Sequence, residues 1–333
     1  CVESEHSALS VCTASCSAGA RTFTATSSQG LAYMSEILPI TSAIRVPLVM
    51  AVANRAISGP INIQNDHGDV MSARDTGWIQ IFAENVQEAY DNAIIAPRIA
   101  EHPDVQLPIM TNLDGFILTH AIERMTPLDD VVVKKFVGEF KPFLPLLDYK
   151  KPVSHGLMDG PDFYYEHKYQ LVQAMEKSFK VIEDVFEDFA KISGRKYNIV
   201  EQYRCEDADY VAVILGSSYG TMKEAVDQLR EKGMKVGACM PRIFRPWPVE
   251  QLKKVLDGKK AVIVMDKHLS VGAYGPLYPE ISSVLLECKK IPKAYNFIYG
   301  LGGKNVIVPE FMSVFEKVDK GEAKTVNYLG VKE

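Results

Sequence analysis

Several things are scarce in this chain, and each scarcity closes off a class of function. Its six cysteines (Cys1, Cys12, Cys16, Cys205, Cys239 and Cys288) are spread over 333 residues without a single CxxC pair. That excludes a zinc ribbon and offers no disulfide framework. No run approaches the roughly 18 consecutive apolar residues of a bilayer-spanning helix, so no membrane association is expected. Basic residues are not in excess: 37 Lys and Arg stand against 42 Asp and Glu, for a formal charge of −5. A nucleic-acid partner, which would call for a concentrated basic face, is therefore not expected. Neither a Walker loop nor a GxGxxG dinucleotide fingerprint occurs. Nothing at the start resembles a secretion signal, and the cysteine usage fits a reducing compartment, so a cytoplasmic location is expected. The chain begins at Cys1 rather than methionine, and a preceding natural N-terminal stretch is expected.

What is present is ordinary globular composition, 47% hydrophobic and 24% charged, at a length that favours two domains. Residues 4–18 are helix-compatible, and "RTFTAT" (21–26), "VPLVMAV" (46–52) and "VQLPIM" (105–110) have strand character, with a helical period over 84–102. Strands alternating with helices imply a parallel sheet covered on both faces. Pro127, Pro142, Pro145, Pro152 and Pro161 interrupt residues 122–162, which predicts an extended surface connector. A helix follows over 162–193, with Leu171, Met175, Phe179, Ile182, Phe186 and Phe189 on one stripe and Gly194 as its C-terminal cap. From Ala208 the rhythm returns: strands at 210–215, 235–240, 261–266 and 293–300, helices at 221–233, 248–258 and 278–288. The expected architecture is α/β, with two doubly wound parallel-sheet domains over 1–125 and 201–333, joined by a connector and long helix over 126–200.

The opening stretch "CVESEHSALSVCTASCSAGART" crowds metal-binding residue types together. Cys12 and Cys16 share a helix face at i, i+4, but their neighbours are small and apolar, and no second ligand pair stands at zinc or iron–sulfur spacing. Packing cysteines, and no metal, are expected. "GSSYG" (216–220) links a strand end to a helix N-terminus and either cradles an anion or is an ordinary turn; "YGLGGK" (299–304) is expected to be a loop closing a strand. Arg55 follows a buried strand at its carboxyl end, where open α/β sheets bind ligands. There it either receives a carboxylate through two parallel hydrogen bonds or sits at the surface, paired with Asp66 or Asp69. "NDHGD" (65–69) is a solvated turn or an acid–base cluster, and "TSSQG" (26–30) suits the wall of a polar pocket.

Taken in order, "VESEHSA" (2–8), "SAGARTFTATSSQGL" (17–31), "MAVANRAISGPINIQNDHGD" (50–69) and "RDTGWIQIFAENVQEA" (74–89) closely resemble the α subunit of 2-oxoacid:ferredoxin oxidoreductases, and most of all the pyruvate:ferredoxin branch. "NLDGF" (112–116) and "FRPWP" (244–248) carry the resemblance through the whole chain.

The resemblance implies a thiamine-diphosphate enzyme that splits a 2-oxoacid into CO2 and an acyl-CoA and passes electrons to ferredoxin. The first domain would grip the cofactor's aminopyrimidine, and the second would be like the C-terminal domain of transketolase. Glu5 matches the glutamate that hydrogen-bonds the pyrimidine nitrogen. That bond favours the imino tautomer, whose exocyclic nitrogen removes the thiazolium proton; burial in a subunit interface would raise the carboxyl pKa to suit proton sharing. Arg55 matches the arginine that binds the substrate carboxylate. Ser28 and Gln29 are expected to line the cofactor pocket, and Asn65, Asp66 and His67 to lie on the substrate side, with His6 left without a role. A first strand and a threonine-bearing loop of the family are missing here. So are a GDG…N diphosphate/Mg2+ signature and a cysteine array. The resemblance therefore implies partners: a β subunit holding Mg2+ and the diphosphate, and γ and δ subunits carrying iron–sulfur clusters. A branched-chain 2-oxoacid specificity is the alternative within the family. A non-catalytic structural or regulatory subunit is the alternative outside it, although it would need neither Glu5 nor Arg55.

Overall fold

The computed structural model describes residues 1–156 and 158–332; residues 157 and 333, within the expected connector and C-terminal domain, lie outside the described residues. The N-terminal part runs α1 (Glu5–Ser17), β1 (Phe23–Thr26), α2 (Gln29–Tyr33), α3 (Ile37–Ala43), β2 (Val49–Asn54) and α4 (Gly68–Ser72). It continues through β3 (Ile79–Phe82), α5 (Val86–Ala100) and β4 (Ile109–Asp114), then α6 (Asp130–Val137) and the long α7 (Pro161–Ser193). The C-terminal part runs β5 (Val200–Tyr203), β6 (Tyr210–Val213), α8 (Ser218–Glu231), β7 (Val236–Pro241), β8 (Ile243–Arg245) and α9 (Val249–Leu256). It ends with β9 (Ala261–Asp266), α10 (Leu277–Leu286), β10 (Lys293–Ile298), α11 (Val308–Asp319) and β11 (Val326–Tyr328).

Two sheets result. The first has the order β1-β2-β4-β3-β8 and the second β11-β10-β9-β6-β7-β5. Both are parallel apart from one edge: β8 pairs antiparallel with β3, and β5 antiparallel with β7. β8 follows β7 by one residue yet joins the first sheet, so the chain stitches the two sheets together at that point. The expected pair of doubly wound domains is present, each with an antiparallel edge strand added.

Prolines shifted the strand boundaries. Buried Val46 and Leu48 precede β2, and buried Val105 and Leu107 precede β4, so an apolar run placed both strands too early. The ladder begins only beyond Pro47 and Pro108, at Val49 opposite Phe23 and at Ile109 opposite Val49, because proline has no N–H to donate. The connector is not wholly extended: α6 interrupts it, capped by the Asp129 side chain, which accepts from the Val131 amide at 2.8 Å. At α7, Gly194 takes the left-handed conformation (φ 71°) that ends the helix as expected. The second half of α7 packs its Val181, Ile182, Val185, Phe186 and Phe189 stripe into the core. No helix among the described residues is long and apolar enough to cross a membrane.

Asp266, at the end of β9, gives the fold a pH signature. Burial pushes its carboxyl up to about 7, against the hydrogen bonds from the Leu277 amide and the Asn296 side chain. A raised carboxyl pKa stabilises the folded state fully below the ordinary carboxylate value, and that contribution disappears as pH rises through about 7. The thermal midpoint should therefore fall between pH 4.5 and 7.5 by an amount matching ~2–4 kcal/mol. Asp266→Asn should flatten that fall; an unchanged slope in the variant would refute the assignment.

Candidate functional site

The carboxyl ends of β1, β2 and β4 meet at one edge of the first sheet, and the sequence-nominated residues collect there. Ser4 caps α1 with its side chain, accepting from the Ser7 amide at 3.3 Å. This fixes Glu5 in the first turn, where a helix N-terminus favours a carboxylate. Glu5 is exposed in the isolated chain. It lies against Gly30, the second residue of α2: a Cβ there would stand 3.1 Å from Glu5 Cγ and 2.5 Å from Thr26 Oγ1. Bare backbone thus borders the Glu5 carboxylate, and a side chain at residue 30 would crowd it. His6 turns away from this edge, to Glu36 at 3.2 Å.

The turn between β1 and α2 is held from behind by Asp69. Its carboxylate, fully buried, accepts from the amides of Ser28 (2.9 Å), Arg55 (3.0 Å) and Val70 (2.7 Å) and from Asn54 Nδ2 (3.1 Å). Burial pushes its carboxyl up to about 6 despite these donors. Ser28 itself sits at φ 50°, ψ −121°, a conformation that costs a non-glycine residue energy and persists only where its surroundings enforce it. Its side chain is turned to Ala56 O and Gln29 Oε1, while Gln29 remains exposed.

Arg55 answers the question its position raised. Only its backbone amide meets Asp69, and among the described residues its guanidinium pairs with no carboxylate. Its Nε donates to Ser27 Oγ at 2.5 Å, and Ser27 Oγ donates to Ala53 O at 2.6 Å. The guanidinium is half-buried at the end of β2 with its charge unspent.

The loop after Arg55 divides. Asn65 is buried, with Nδ2 on Asn54 O (3.0 Å) and Oδ1 lacking a hydrogen-bond partner among the described residues. Asp66 and His67 face the second domain. Asp66 accepts from the Gly68 amide (2.8 Å) and from Gly302 of the glycine-rich loop (3.3 Å). His67 Nε2 meets Asp114 Oδ1 at 2.8 Å, both fully buried.

Asp114, at the end of β4, also accepts from the Ser217 amide (3.1 Å), Ser217 Oγ (2.5 Å) and Lys267 Nζ (3.2 Å). Burial alone would raise its pKa, but Lys267 and His67 hold it far below the usual carboxylate range. Ser217 follows β6 and Lys267 follows β9, the two strands between which the second sheet reverses its winding. That crevice is where an open α/β sheet takes a ligand. Here a carboxylate of the first domain fills it, so the "GSSYG" turn does cradle an anion, one supplied by its own chain. Gly216 is required for it: φ is +69°, and a Cβ would stand 2.8 Å from Asp114 Oδ1. The second domain's ligand crevice is spent on joining the domains. Ser27 and Asp114 were not nominated from sequence, and Asp69 was weighed only as a partner for the Arg55 side chain; "TSSQG", "NLDGF" and "NDHGD" contain the three, but only the fold reveals their bonds.

The opening cysteines pack as expected. Cys16 is buried, its thiol pushed up to about 12 by that burial, and Cys12 packs half-buried against the core. No group of three or more His, Cys, Asp or Glu among the described residues could hold a metal ion.

Residues 1–187 match the family described as pyruvate flavodoxin/ferredoxin oxidoreductase, thiamine diphosphate-binding, and residues 208–311 match pyruvate:ferredoxin oxidoreductase core domain II. The chain is 50% identical to pyruvate synthase subunit PorA of Thermotoga maritima, covering 100% of this chain and 85% of the relative. It is 40% identical to ketoisovalerate oxidoreductase subunit VorA of Pyrococcus abyssi, covering 96% and 80%. Among solved structures, 2-oxoglutarate:ferredoxin oxidoreductase from Magnetococcus marinus shares the fold, with a TM-score of 0.67 at 20% identity, covering 95% of this chain and 56% of that one.

Proposed function

The chain belongs to the pyruvate flavodoxin/ferredoxin oxidoreductase family, and on that premise we propose that it is the α subunit of a thiamine-diphosphate-dependent pyruvate:ferredoxin oxidoreductase. The reaction is oxidative decarboxylation of the 2-oxoacid with CoA to acyl-CoA and CO2, with electrons passed to ferredoxin. The observation that carries this reading is Arg55: a guanidinium with no acidic partner among the described residues, at the carboxyl end of β2, separated from Glu5 by the single turn Thr26–Gly30. It suits a substrate carboxylate, which it can bind through parallel hydrogen bonds.

The residues present fit the cofactor's aminopyrimidine. Glu5 offers an accessible carboxylate on the capped first turn of α1, and Gly30 leaves the space beside it open. Thiamine diphosphate supplies a nucleophilic carbon and an electron sink when bound. With the cofactor bound, Glu5 would share a proton with the pyrimidine nitrogen, Ser28 and Gln29 would wall the cofactor side, and Asn65 would border the substrate side. Asp66 and His67 anchor that loop to the second domain. Pyruvate is favoured over a branched-chain 2-oxoacid by the higher identity to PorA, 50% against 40% for VorA. Because the sequence carries no GDG…N signature and no cysteine array, we assign the diphosphate and Mg2+ to a β subunit and the iron–sulfur clusters to γ- and δ-type subunits. The cytoplasm is the proposed compartment.

The test is reconstitution. The chain assembled with its partner subunits should reduce ferredoxin in a pyruvate- and CoA-dependent manner, whereas the isolated chain supplied with thiamine diphosphate and Mg2+ should not turn over. Turnover by the isolated chain would overturn the division of labour.

A further inference from the structure

We infer that Ser27 is a positioning residue that makes Arg55 an end-on receptor for the substrate carboxylate, an inference that rests on the reading of Arg55 above. A guanidinium can grip a carboxylate in two ways, side-on through Nε and one Nη or end-on through both Nη groups, and the planar fork makes each a two-point contact. In this chain the side-on edge is taken. Arg55 Nε donates to Ser27 Oγ at 2.5 Å. The Ser27 hydroxyl proton is in turn committed to Ala53 O at 2.6 Å, so Oγ faces Nε with a lone pair.

The chain of bonds runs from the guanidinium through the hydroxyl to the backbone of β2, two residues before Arg55 itself. It fixes the direction of a side chain that otherwise carries much rotamer freedom. Behind it, Asp69 binds the amides of Ser28 and Arg55 with one carboxylate oxygen, at 2.9 and 3.0 Å. The turn that presents Ser27 and the strand end that presents Arg55 are thereby held in one frame. Gly115 clears the flank, since a Cβ there would stand 2.9 Å from Arg55 Cγ. Among the described residues the Nη1/Nη2 end has no hydrogen-bond partner, and it offers two coplanar donors matched to a carboxylate.

The experiment uses the assembled complex and a double-mutant cycle of Ser27→Ala with Arg55→Ala, read both as KM for pyruvate and as the calorimetric Kd of oxamate, a non-reacting analogue. Ser27→Ala should raise both constants roughly tenfold with kcat within about twofold and an unchanged thermal midpoint, and Ser27→Thr, which keeps the hydroxyl, should restore them. In the Arg55→Ala background Ser27→Ala should have no further effect, because residues acting through one contact are not additive. If Arg55→Ala weakens binding but Ser27→Ala does not, or adds its full effect on top, the inference falls while the reading of Arg55 stands. If Arg55→Ala leaves both constants unchanged, the reading itself fails, and this inference with it.

Discussion

Glu5→Gln in the assembled complex is expected to lower kcat by roughly 10²–10⁴-fold, the range that a positioned acid–base group contributes, while the thermal midpoint stays where it was. Glutamine keeps the length and one acceptor oxygen, so it can still occupy the place beside Gly30, but it cannot share a proton. The stability half of the expectation follows from exposure. Glu5 sits at the first turn of α1, open to solvent in the isolated chain, and the cap that holds the helix is Ser4. A group that contributes so little to packing can be changed without unfolding anything. Unchanged turnover in the Gln variant would remove Glu5 from the chemistry; a collapse of the thermal midpoint would make it a structural residue.

The second large effect lies far from that site. Arg242→Met should destabilise the chain by ~3–5 kcal/mol, the cost of leaving a buried carboxylate without its partner. Arg242 stands between β7 and β8, where the chain passes from the second sheet to the first, and is 1% exposed. Its Nη1 and Nη2 grip both oxygens of Glu88 on α5 at 2.5 and 2.9 Å, and Nη2 also meets Glu201 on β5 at 2.9 Å. The guanidinium lies 4.7 Å from the Tyr197 ring centroid. Burial disfavours its charge, but Glu88 and Glu201 more than offset that and keep it protonated. Removing Arg242 alone strands Glu88, which is 6% exposed. Replacing both, as Arg242→Met with Glu88→Met, should recover much of the loss, because an apolar pair has no unpaired charge to hide. Chemical denaturation of the three proteins distinguishes the cases. A double variant as unstable as the single would show that the cost is one of packing and not of charge.

The sequence revealed much of this chain unevenly. The second domain was legible because its strands are continuous apolar runs punctuated by glycine, and β6, β7, β9 and β10 fall within a few residues of expectation. β3 was missed because "IQIF" puts Gln80 in the middle of a strand that is buried on all four residues, so no alternation announces it. β8 is three residues long and belongs to a sheet whose other strands lie more than a hundred residues earlier, a pairing that no local pattern encodes. The short helices α2, α3 and α4 carry too few turns to show a period. α6 was hidden among prolines, and its signal, Asp129 ahead of "DVVVKKFV", is a cap of one residue.

At the site, Glu5 and Arg55 could be named in advance because motif resemblance fixes single positions. Their frame could not be. Asp69 looks like one of two acids in "NDHGD", yet it is the one whose carboxylate ties Ser28 to Arg55, while Asp66 and His67 look outward in sequence and turn inward in the fold. Backbone amides are invisible in a sequence, and this site is organised largely by them.

The measurement that tests the central claim most directly is ferredoxin reduction by the reconstituted complex, with pyruvate, 2-oxoisovalerate and 2-oxoglutarate compared in the presence and absence of CoA and thiamine diphosphate. The account predicts CoA- and cofactor-dependent reduction with the highest kcat/KM for pyruvate, and its loss when Arg55 is replaced by alanine. Reduction independent of thiamine diphosphate, or an assembled complex inert toward all three acids, would contradict it.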